Sequence, residues 1–225
     1  MQTIDSKVYP EVYQGQFGTF TITDRDRQGV IIYRSALMVA AISFCIATFV
    51  ALSQLGSDRS SNLSALNLVT WLYISFSIAL GIALATIHIY LAILHRALQI
   101  FLAIGSVAAI ALAFQNPEPL ALVVYQQPIT LLGIGFTFVA LTGIFFKEAF
   151  CFNRFETKIL TLLVPLLLLG HLVGGLPQSV ESILLAAWSG LFFVFALRKT
   201  VQPLPDDIGD KSVFDYLKTQ NSTAN

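Results

Sequence analysis

Six apolar stretches decide what this chain of 225 residues can fold into. A helix crosses the hydrocarbon layer of a bilayer with about 20 mostly apolar residues, because that layer is roughly 30 Å thick. The clearest stretch, Ser35–Leu55, carries no charged side chain along its whole length. The pattern predicts an all-α, polytopic membrane bundle of six transmembrane helices. The predicted spans are residues 35–55, 66–94, 97–114, 128–146, 159–176 and 182–197.

The composition agrees with a membrane protein and excludes several other classes. Hydrophobic residues make up 56% of the chain and charged residues 12%, which is about half the charged share of a soluble domain. A net charge of zero lacks the basic excess that a nucleic-acid binder needs. Two cysteines are too few for a disulfide framework or a cysteine-rich zinc site. The lipid bilayer is therefore the predicted partner, and no nucleic acid is expected.

Basic residues outside the spans predict that both termini lie on the cytoplasmic or stromal side, where Lys and Arg of short loops are retained. Six crossings from an inside N-terminus leave only Arg59 on the outer side. The inner side then holds an N-terminal segment of residues 1–34 and a tail of residues 199–225, on either side of a membrane domain of residues 35–198. The inner basic residues are Lys7, Arg25, Arg27, Arg34, Arg96, Lys147, Arg154, Lys158, Arg198, Lys199, Lys211 and Lys218.

The two soluble ends carry local structural signals. Val12–Ile22 is compatible with a short hairpin, and Thr23 to Asp26 resembles a capping box that opens a helix along the inner surface over Asp24–Arg34. Gln202–Pro205 is predicted to be extended by its prolines, and a short amphipathic helix is predicted at about 212–218. A helix of that length needs a docking surface, on the membrane domain or on a partner.

An aromatic inner loop is predicted between the fourth and fifth spans, at residues 147–158. Its rings either lie among acyl chains at the interface or contact a specific partner. The candidate partner-docking residues of this loop and of the tail are Phe150, Phe152, Arg154, Val213, Phe214 and Leu217.

Two histidines inside the predicted spans, His88 and His171, are the candidates for binding a cofactor. A haem held between helices needs two axial imidazoles at nearly one depth, and the predicted depths differ by about 8 Å. A break at Pro165 would be one way to remove that offset. The favoured interpretation is that both histidines form hydrogen bonds between helices, and no cofactor is predicted.

Small residues four positions apart predict close helix packing in the second and fifth spans. The pairs are Gly81 with Ala85 and Gly170 with Gly174, and they favour a contact between these two spans. No metal site, phosphate-binding loop, nucleophile elbow or intramembrane protease arrangement is found in the sequence. The chain is therefore not expected to be an enzyme.

Four polar motifs carry a family resemblance, namely residues 27–34, 147–154, 166–171 and 207–214. With them the chain resembles an uncharacterised family of integral membrane proteins from cyanobacteria and plastids, over roughly residues 8–218. The resemblance implies a thylakoid or plasma membrane of a photosynthetic organism, and it implies no activity.

Three functional hypotheses remain open. The first is a non-enzymatic scaffold or assembly factor of a larger, photosynthetic membrane complex, because no charge lies in the centre of a predicted span and both soluble ends carry motifs. The second is a passive transporter or channel for a small solute. The third is a haem or quinone redox protein that uses His88 or His171. The polar residues that would line a channel are Ser75, Ser77, Thr86, Gln99, Thr137, Thr142 and Thr161.

Overall fold

A bundle of long helices makes up most of the protein, and a small hairpin lies at one end of it. The computed structural model describes residues 11–54, 63–89, 91–213, 216 and 219. The elements are β1 (Val12–Gln14), β2 (Thr19–Thr21), α1 (Asp24–Gln54), α2 (Leu63–Thr86), α3 (Ala92–Gln115), α4 (Leu120–Gln126), a 3-10 turn (Pro128–Thr130), α5 (Leu131–Ile134), α6 (Phe136–Phe152), α7 (Phe155–Leu172), α8 (Gln178–Val201) and α9 (Leu204–Ile208).

The long helices have the length and surface of membrane-spanning helices. Five of those described, α1, α2, α3, α7 and α8, are long and apolar enough to cross a bilayer, and the bent pair of α5 and α6 makes a sixth if it counts as one span. Their outer faces expose large apolar side chains, such as Phe114 at 88% and Leu162 at 75%. Exposure of such large apolar faces to water is unfavourable, so these faces contact lipid. The prediction of an all-α membrane bundle is confirmed.

The predicted boundary between the second and third spans, at residues 95 and 96, is wrong, because the chain turns earlier. Helix α2 ends at Thr86 and α3 begins at Ala92, so His88 lies in the connection and not inside a span. His95 lies in the first turn of α3, where its Nε2 is 2.5 Å from the carbonyl oxygen of Leu84. That contact satisfies a carbonyl that the last turn of α2 leaves without a helical partner.

A bend of 59° separates α5 from α6, so the fourth predicted span is not one straight helix. The bend lies at Gly135, where a Cβ atom would overlap the carbonyl oxygen of Leu131. Beside it, Gly105 of α3 lets the backbone of Thr137 approach so closely that a Cβ on Gly105 would clash with it. Two glycines thus allow the bend and hold it against α3.

The predicted boundary between the N-terminal segment and the first span, at residues 34 and 35, does not interrupt the first helix. Helix α1 runs without a break from Asp24 to Gln54, so the predicted helix over Asp24–Arg34 is the first part of the spanning helix and not a separate element. The predicted capping box is confirmed: the Thr23 amide donates to the Asp26 carboxylate at 2.8 Å, and the Asp26 amide donates to Thr23 Oγ1 at 3.3 Å.

Two segments predicted to be irregular are helical. Of the predicted loop at residues 147–158, only Asn153 and Arg154 are non-helical. Asn153 adopts a left-handed conformation that ends α6, and α7 begins at Phe155. The predicted extended segment Gln202–Pro205 instead leads into α9 at Leu204, with Pro205 in its first turn. Proline is favoured there, since the first turn needs no amide donor.

The predicted hairpin forms, and it packs against the chain that follows α8. Strands β1 and β2 pair antiparallel, with Tyr13 opposite Phe20. Beneath them Ile22, Val30 and Ile208 form a small apolar core. The Gln16 amide donates to the Asp210 carboxylate at 2.6 Å, and the Ser212 hydroxyl and amide donate to it as well. These hydrogen bonds lower the pKa of the Asp210 carboxyl group. The segments before α1 and after α8 therefore lie at the same end of the bundle.

Candidate functional site

The end of the bundle where α1 begins and α8 ends is called the charged end below, and Arg34 is one of its central residues. Its Nε donates to Asp207 of α9 at 2.7 Å, its Nη1 to the carbonyl oxygen of Gln202 at 2.7 Å, and its Nη2 to that of Pro203 at 3.0 Å. The guanidinium group thereby links α1 to the segment after α8 by an ion pair with Asp207 and by hydrogen bonds to two backbone carbonyl oxygens.

Lys199 of α8 is fully buried beside Arg34, and it bridges two carboxylates from different helices. Its Nζ lies 2.8 Å from Glu148 Oε2 of α6, and it also donates to Asp207. The other oxygen of Glu148 accepts from Lys147 at 2.9 Å. A buried charge is costly unless it is paired, and here each of these side chains has an opposite charge within contact distance.

A second layer of polar contacts surrounds this buried group. Arg154 donates to the Gln202 side chain at 2.6 Å, and Arg198 donates to Glu156 at 2.8 Å. The ring of Phe152 lies under the Lys199 ammonium group at 4.6 Å. The charged end is a closely packed ionic cluster that ties together α1, α6, α7, α8 and α9.

The opposite end, called the cavity end below, is built differently. Between the end of α1, the start of α2, α4, α5, the end of α7 and the start of α8 lies a cavity of about 340 Å³. Its lining is mostly apolar. Residues from each of these helices contribute to it: Phe44, Ala51, Leu52, Gln54, Leu66, Val69, Thr70, Tyr73, Leu120, Ala121, Leu122, Val124, Tyr125, Leu131, Ile134, Phe138, Leu167, Leu168, His171, Gln178, Glu181, Ser182, Leu185 and Trp188.

Polar groups of the cavity gather near one rim. His171 Nδ1 lies 2.8 Å from Glu181 Oε1, so the last turn of α7 is bound to the first turn of α8. The ring of Tyr125 from α4 stacks on the His171 imidazole at a centroid distance of 5.4 Å. This rim can donate and accept hydrogen bonds, whereas the lining deeper in the bundle is apolar.

The deeper wall of the cavity is aromatic. Trp188 is 2% exposed, and its ring lies 4.6 Å from that of Phe44 and 5.2 Å from that of Phe138, between centroids. Its Nε1 has no hydrogen-bond acceptor within the described part of the protein. By contrast, the Tyr73 hydroxyl is 2.8 Å from Thr137 Oγ1.

The structure does not bring the two candidate haem ligands together. His171 belongs to the cavity end, whereas His88 lies beside Gly29 in the first turns of α1, at the charged end. Helix α7 also passes through Pro165 without a break. The favoured interpretation, a hydrogen bond between helices, describes His171. In the described ranges, no group of three or more His, Cys, Asp or Glu side chains is placed to hold a metal ion.

The small-residue pairs have other roles than the predicted contact between two spans. Gly81 packs against Leu102 of α3, and its partner Ala85 is exposed. Gly170 makes room for the side chain of Leu176, and Gly174, at a φ of 64°, ends α7. Gly105 is another glycine whose missing side chain allows a close contact, here with the backbone of Thr137, and the sequence interpretation did not single it out.

The candidate docking residues fall into separate environments. Phe150 is 82% exposed at the charged end. Phe152 and Arg154 contact residues of the ionic cluster. Val213 is half-buried at the start of the tail helix, which the structure describes at residues 211–213. Phe214 and Leu217, and with them much of the predicted helix at 212–218, lie outside the described residues.

The residues predicted to line a channel do not surround one path. Ser75 pairs with Ser43 of α1 at 3.0 Å, while Thr142 and Thr161 donate to carbonyl oxygens of their own helices. Thr86 does the same, and Gln99 reaches the carbonyl oxygen of Leu84. Neither these nor Ser77 or Thr137 are among the residues that line the cavity.

The fold is that of a helical membrane protein, with a buried ionic cluster at one end and an apolar cavity at the other. The family comparison agrees that it is an integral membrane protein: residues 82–216 match the model of an uncharacterised integral membrane protein family, DUF2301. The chain belongs to that family, which confirms the resemblance at this level. No curated protein and no solved structure matches the chain.

Proposed function

We propose that the protein binds a mostly apolar, membrane-soluble molecule in the cavity between α1, α2, α4, α5, α7 and α8. The observation that carries this proposal is the cavity itself: about 340 Å³ of space with an apolar lining and a few hydrogen-bonding groups at one rim. Concave, mostly apolar sites with a few placed polar groups are typical of small-molecule binding.

The position of the polar rim orients the ligand. His171 and Glu181 lie in the last turn of α7 and the first turn of α8, where the chain leaves the apolar core. An amphipathic molecule gains most when its polar group meets this pair and its apolar body fills the interior. The proposal thus retains the binding of a quinone-like molecule from the third hypothesis. It concerns binding only and not redox chemistry.

Replacing one of two alanines by tryptophan tests whether the cavity binds a ligand. Ala121→Trp places a large ring into the lining, whereas Ala113→Trp adds the same ring to an exposed position of α3. Each variant would be purified in a mild detergent, and the co-purified organic molecules would be extracted and identified by mass spectrometry. We expect a defined molecule with the wild type and Ala113→Trp and at least a tenfold loss with Ala121→Trp. Equal recovery from all three proteins would contradict the proposal.

The topology that accompanies this function is six crossings with both ends in the cytoplasm or stroma. It is supported by the contact between the hairpin and the segment after α8, because an even number of crossings returns the chain to the same side. Cys151 provides a test, since it is exposed at the charged end. A membrane-impermeant thiol reagent should label it only from the inner side; labelling from outside would overturn the orientation.

An accessory role in a larger membrane complex is the second candidate. It is favoured by the exposed rings of Phe150 and Phe155, which are 82% and 74% accessible at the charged end. A mild-detergent pull-down should then recover a stoichiometric partner that is lost in the double variant Phe150→Ala with Phe155→Ala. Truncation after Val201 would be an unsuitable test, because it removes Asp207 from the ionic cluster.

A further inference from the structure

The hydrogen-bonding groups at the rim of the cavity narrow the class of ligand, and this inference rests on the proposed binding function. We infer that the ligand is an uncharged, mostly apolar molecule with a free hydroxyl group, such as an alkylphenol, and that this hydroxyl binds the pair His171 and Glu181. A quinol, the reduced form of a quinone, belongs to this class, whereas a molecule that carries only carbonyl or ether oxygens does not.

His171 and Glu181 keep part of their hydrogen-bonding capacity free. Their mutual contact joins His171 Nδ1 to Glu181 Oε1 at 2.8 Å. The two remaining atoms, His171 Nε2 and Glu181 Oε2, have no partner among the described residues, and they are not sealed from solvent as Trp188 Nε1 is. The two side chains are 18% and 15% accessible, and both residues line the cavity. A molecule that fills the cavity therefore lies against both of them.

The free atoms require a ligand that donates a hydrogen bond. Glu181 Oε2 is an acceptor whichever of the two residues holds the shared proton, because a carboxylate oxygen and the carbonyl oxygen of a carboxylic acid both accept. His171 Nε2 accepts or donates, according to the protonation of the imidazole. A hydroxyl group donates to Glu181 and can also accept from His171. An ether or carbonyl oxygen only accepts, so it leaves Glu181 without a donor.

The charges around the cavity favour an uncharged polar group. Among the described residues that line the cavity, Glu181 is the only acidic one, and none is Lys or Arg. A phosphate or carboxylate group of a ligand would lie beside Glu181 without a basic side chain of the lining to pair with it, and an unpaired charge away from water is costly. Phospholipids and fatty acids are therefore disfavoured relative to a neutral alcohol or phenol.

The pair is held in place before a ligand binds. Tyr125 stacks on the His171 imidazole at a centroid distance of 5.4 Å, and Glu181 holds its Nδ1, so the ring is fixed from two sides. The neighbouring hydroxyl of Ser182 donates within its own helix, to the carbonyl oxygen of Gln178 at 2.8 Å. Groups whose orientation is already set lose less conformational freedom on binding. The pair is thus prepared to recognise a hydroxyl group.

Two probes on the wild-type protein test the inference. Para-nonylphenol and para-nonylanisole share the ring and the chain, and only the phenol has a hydroxyl hydrogen. Binding to detergent-solubilised protein would be measured by equilibrium dialysis, with the uptake of protein-free micelles subtracted. We expect the phenol to bind about tenfold more tightly, the usual effect of one hydrogen bond to a polar or charged group. Equal binding, or tighter binding of the anisole, would overturn the inference.

A double variant assigns this preference to the pair. His171→Phe with Glu181→Met removes the polar atoms and keeps a ring beside Tyr125. Its affinity for the phenol should fall to that for the anisole, while the anisole, which also reports that the cavity has formed, binds as in the wild type. Glu118→Met removes an exposed carboxylate outside the cavity lining and should keep the tenfold preference. A preference that survives in the double variant would contradict the assignment.

A spectroscopic measurement leaves the pair intact, so it decides the question even where the double variant does not fold. In protein labelled with ¹⁵N-histidine, the imidazole resonances of His171 are those that His171→Phe lacks, among the three histidines of the chain. They should move on addition of para-nonylphenol and not on addition of para-nonylanisole. His171 resonances that respond equally to both compounds, or to neither, would count against a hydroxyl bound at this pair.

Failure of the inference and failure of the proposed function give different results. If both compounds bind equally well, and binding is lost in Ala121→Trp, the cavity accepts apolar molecules without recognising a hydroxyl group, and only the inference is wrong. If neither compound binds and no molecule co-purifies with the wild type, the proposed function is wrong as well.

Discussion

The two ends of this bundle differ in how their interior is filled. At the charged end, Lys199, Glu148 and Asp207 are buried almost completely, and each contacts a group of opposite charge. At the cavity end, about 340 Å³ between mostly apolar side chains is left unfilled. The same helices α1 and α8 contribute to both ends.

The difference indicates a division of roles along the bundle. Paired charges from five helices hold the charged end in one arrangement, because separating any pair leaves a charge buried alone. Unfilled apolar space at the other end leaves room for a ligand. This arrangement agrees with the proposed binding of a membrane-soluble molecule.

The largest effect should follow from breaking the ionic cluster. Lys199→Met keeps much of the volume of the side chain and leaves Glu148 and Asp207 with fewer countercharges. We expect a loss of about 3–5 kcal/mol in the free energy of unfolding, measured by denaturant titration in detergent. The matched control is Lys158→Met, an exposed position, which should stay within about 0.5 kcal/mol of the wild type. Equal stabilities of the two variants would remove the distinction between the ends.

A smaller effect should follow from filling the space beside the bend. Gly105→Ala pushes a methyl group toward the backbone of Thr137, and the expected cost is about 1–3 kcal/mol. Because α5 beyond the bend lines the cavity, ligand recovery should fall as well. Gly190→Ala is the control, since a Cβ there meets nothing within 4 Å. A variant at Gly105 that binds ligand normally and unfolds like the control would contradict the described packing.

The smallest effect concerns the hairpin, and it depends on pH. Since the pKa of Asp210 is lowered in the folded protein, its carboxylate stabilises the docked hairpin fully above the ordinary value of 3.8 and progressively less as the pH falls below it. Hydrogen exchange at the Gln16 amide, corrected for its intrinsic pH dependence, should therefore speed up in acid. Asp210→Asn should exchange faster already at neutral pH, and Asp206→Asn, an exposed control, should behave like the wild type. Loss of protection in both variants alike would contradict this role.

Much of the fold was predictable because membrane helices are long and apolar. The first span, the hairpin and the capping box at Thr23 all follow from local patterns. The turn after Thr86 was mispredicted because Ile87 and Ile89 continue the apolar run, and only the tertiary contact of His95 with Leu84 shows why the helix ends there. A local sequence pattern does not indicate a contact with a residue of another helix.

The candidate site was largely invisible in the sequence for the same reason. In the sequence, Glu148 and Lys199 are interpreted as solvated residues at the membrane boundary. Arg34 is separated by 173 residues from the Asp207 that it contacts. A cavity has no sequence signal, since it is the volume that packing leaves unfilled. Of its polar residues, only His171 was singled out, and a signal for its partner existed in Glu181, an acidic residue in the first turn of the next helix.

The contact between Arg34 and Asp207 also has a consequence for how the protein is made. A ribosome adding about 5–20 residues per second needs roughly 9–35 s to synthesise the 173 residues that separate them. Until Asp207 has been synthesised, Arg34 lacks the partners that hold it after α8. The junction therefore forms only in a chain in which α1 to α8 have all been made.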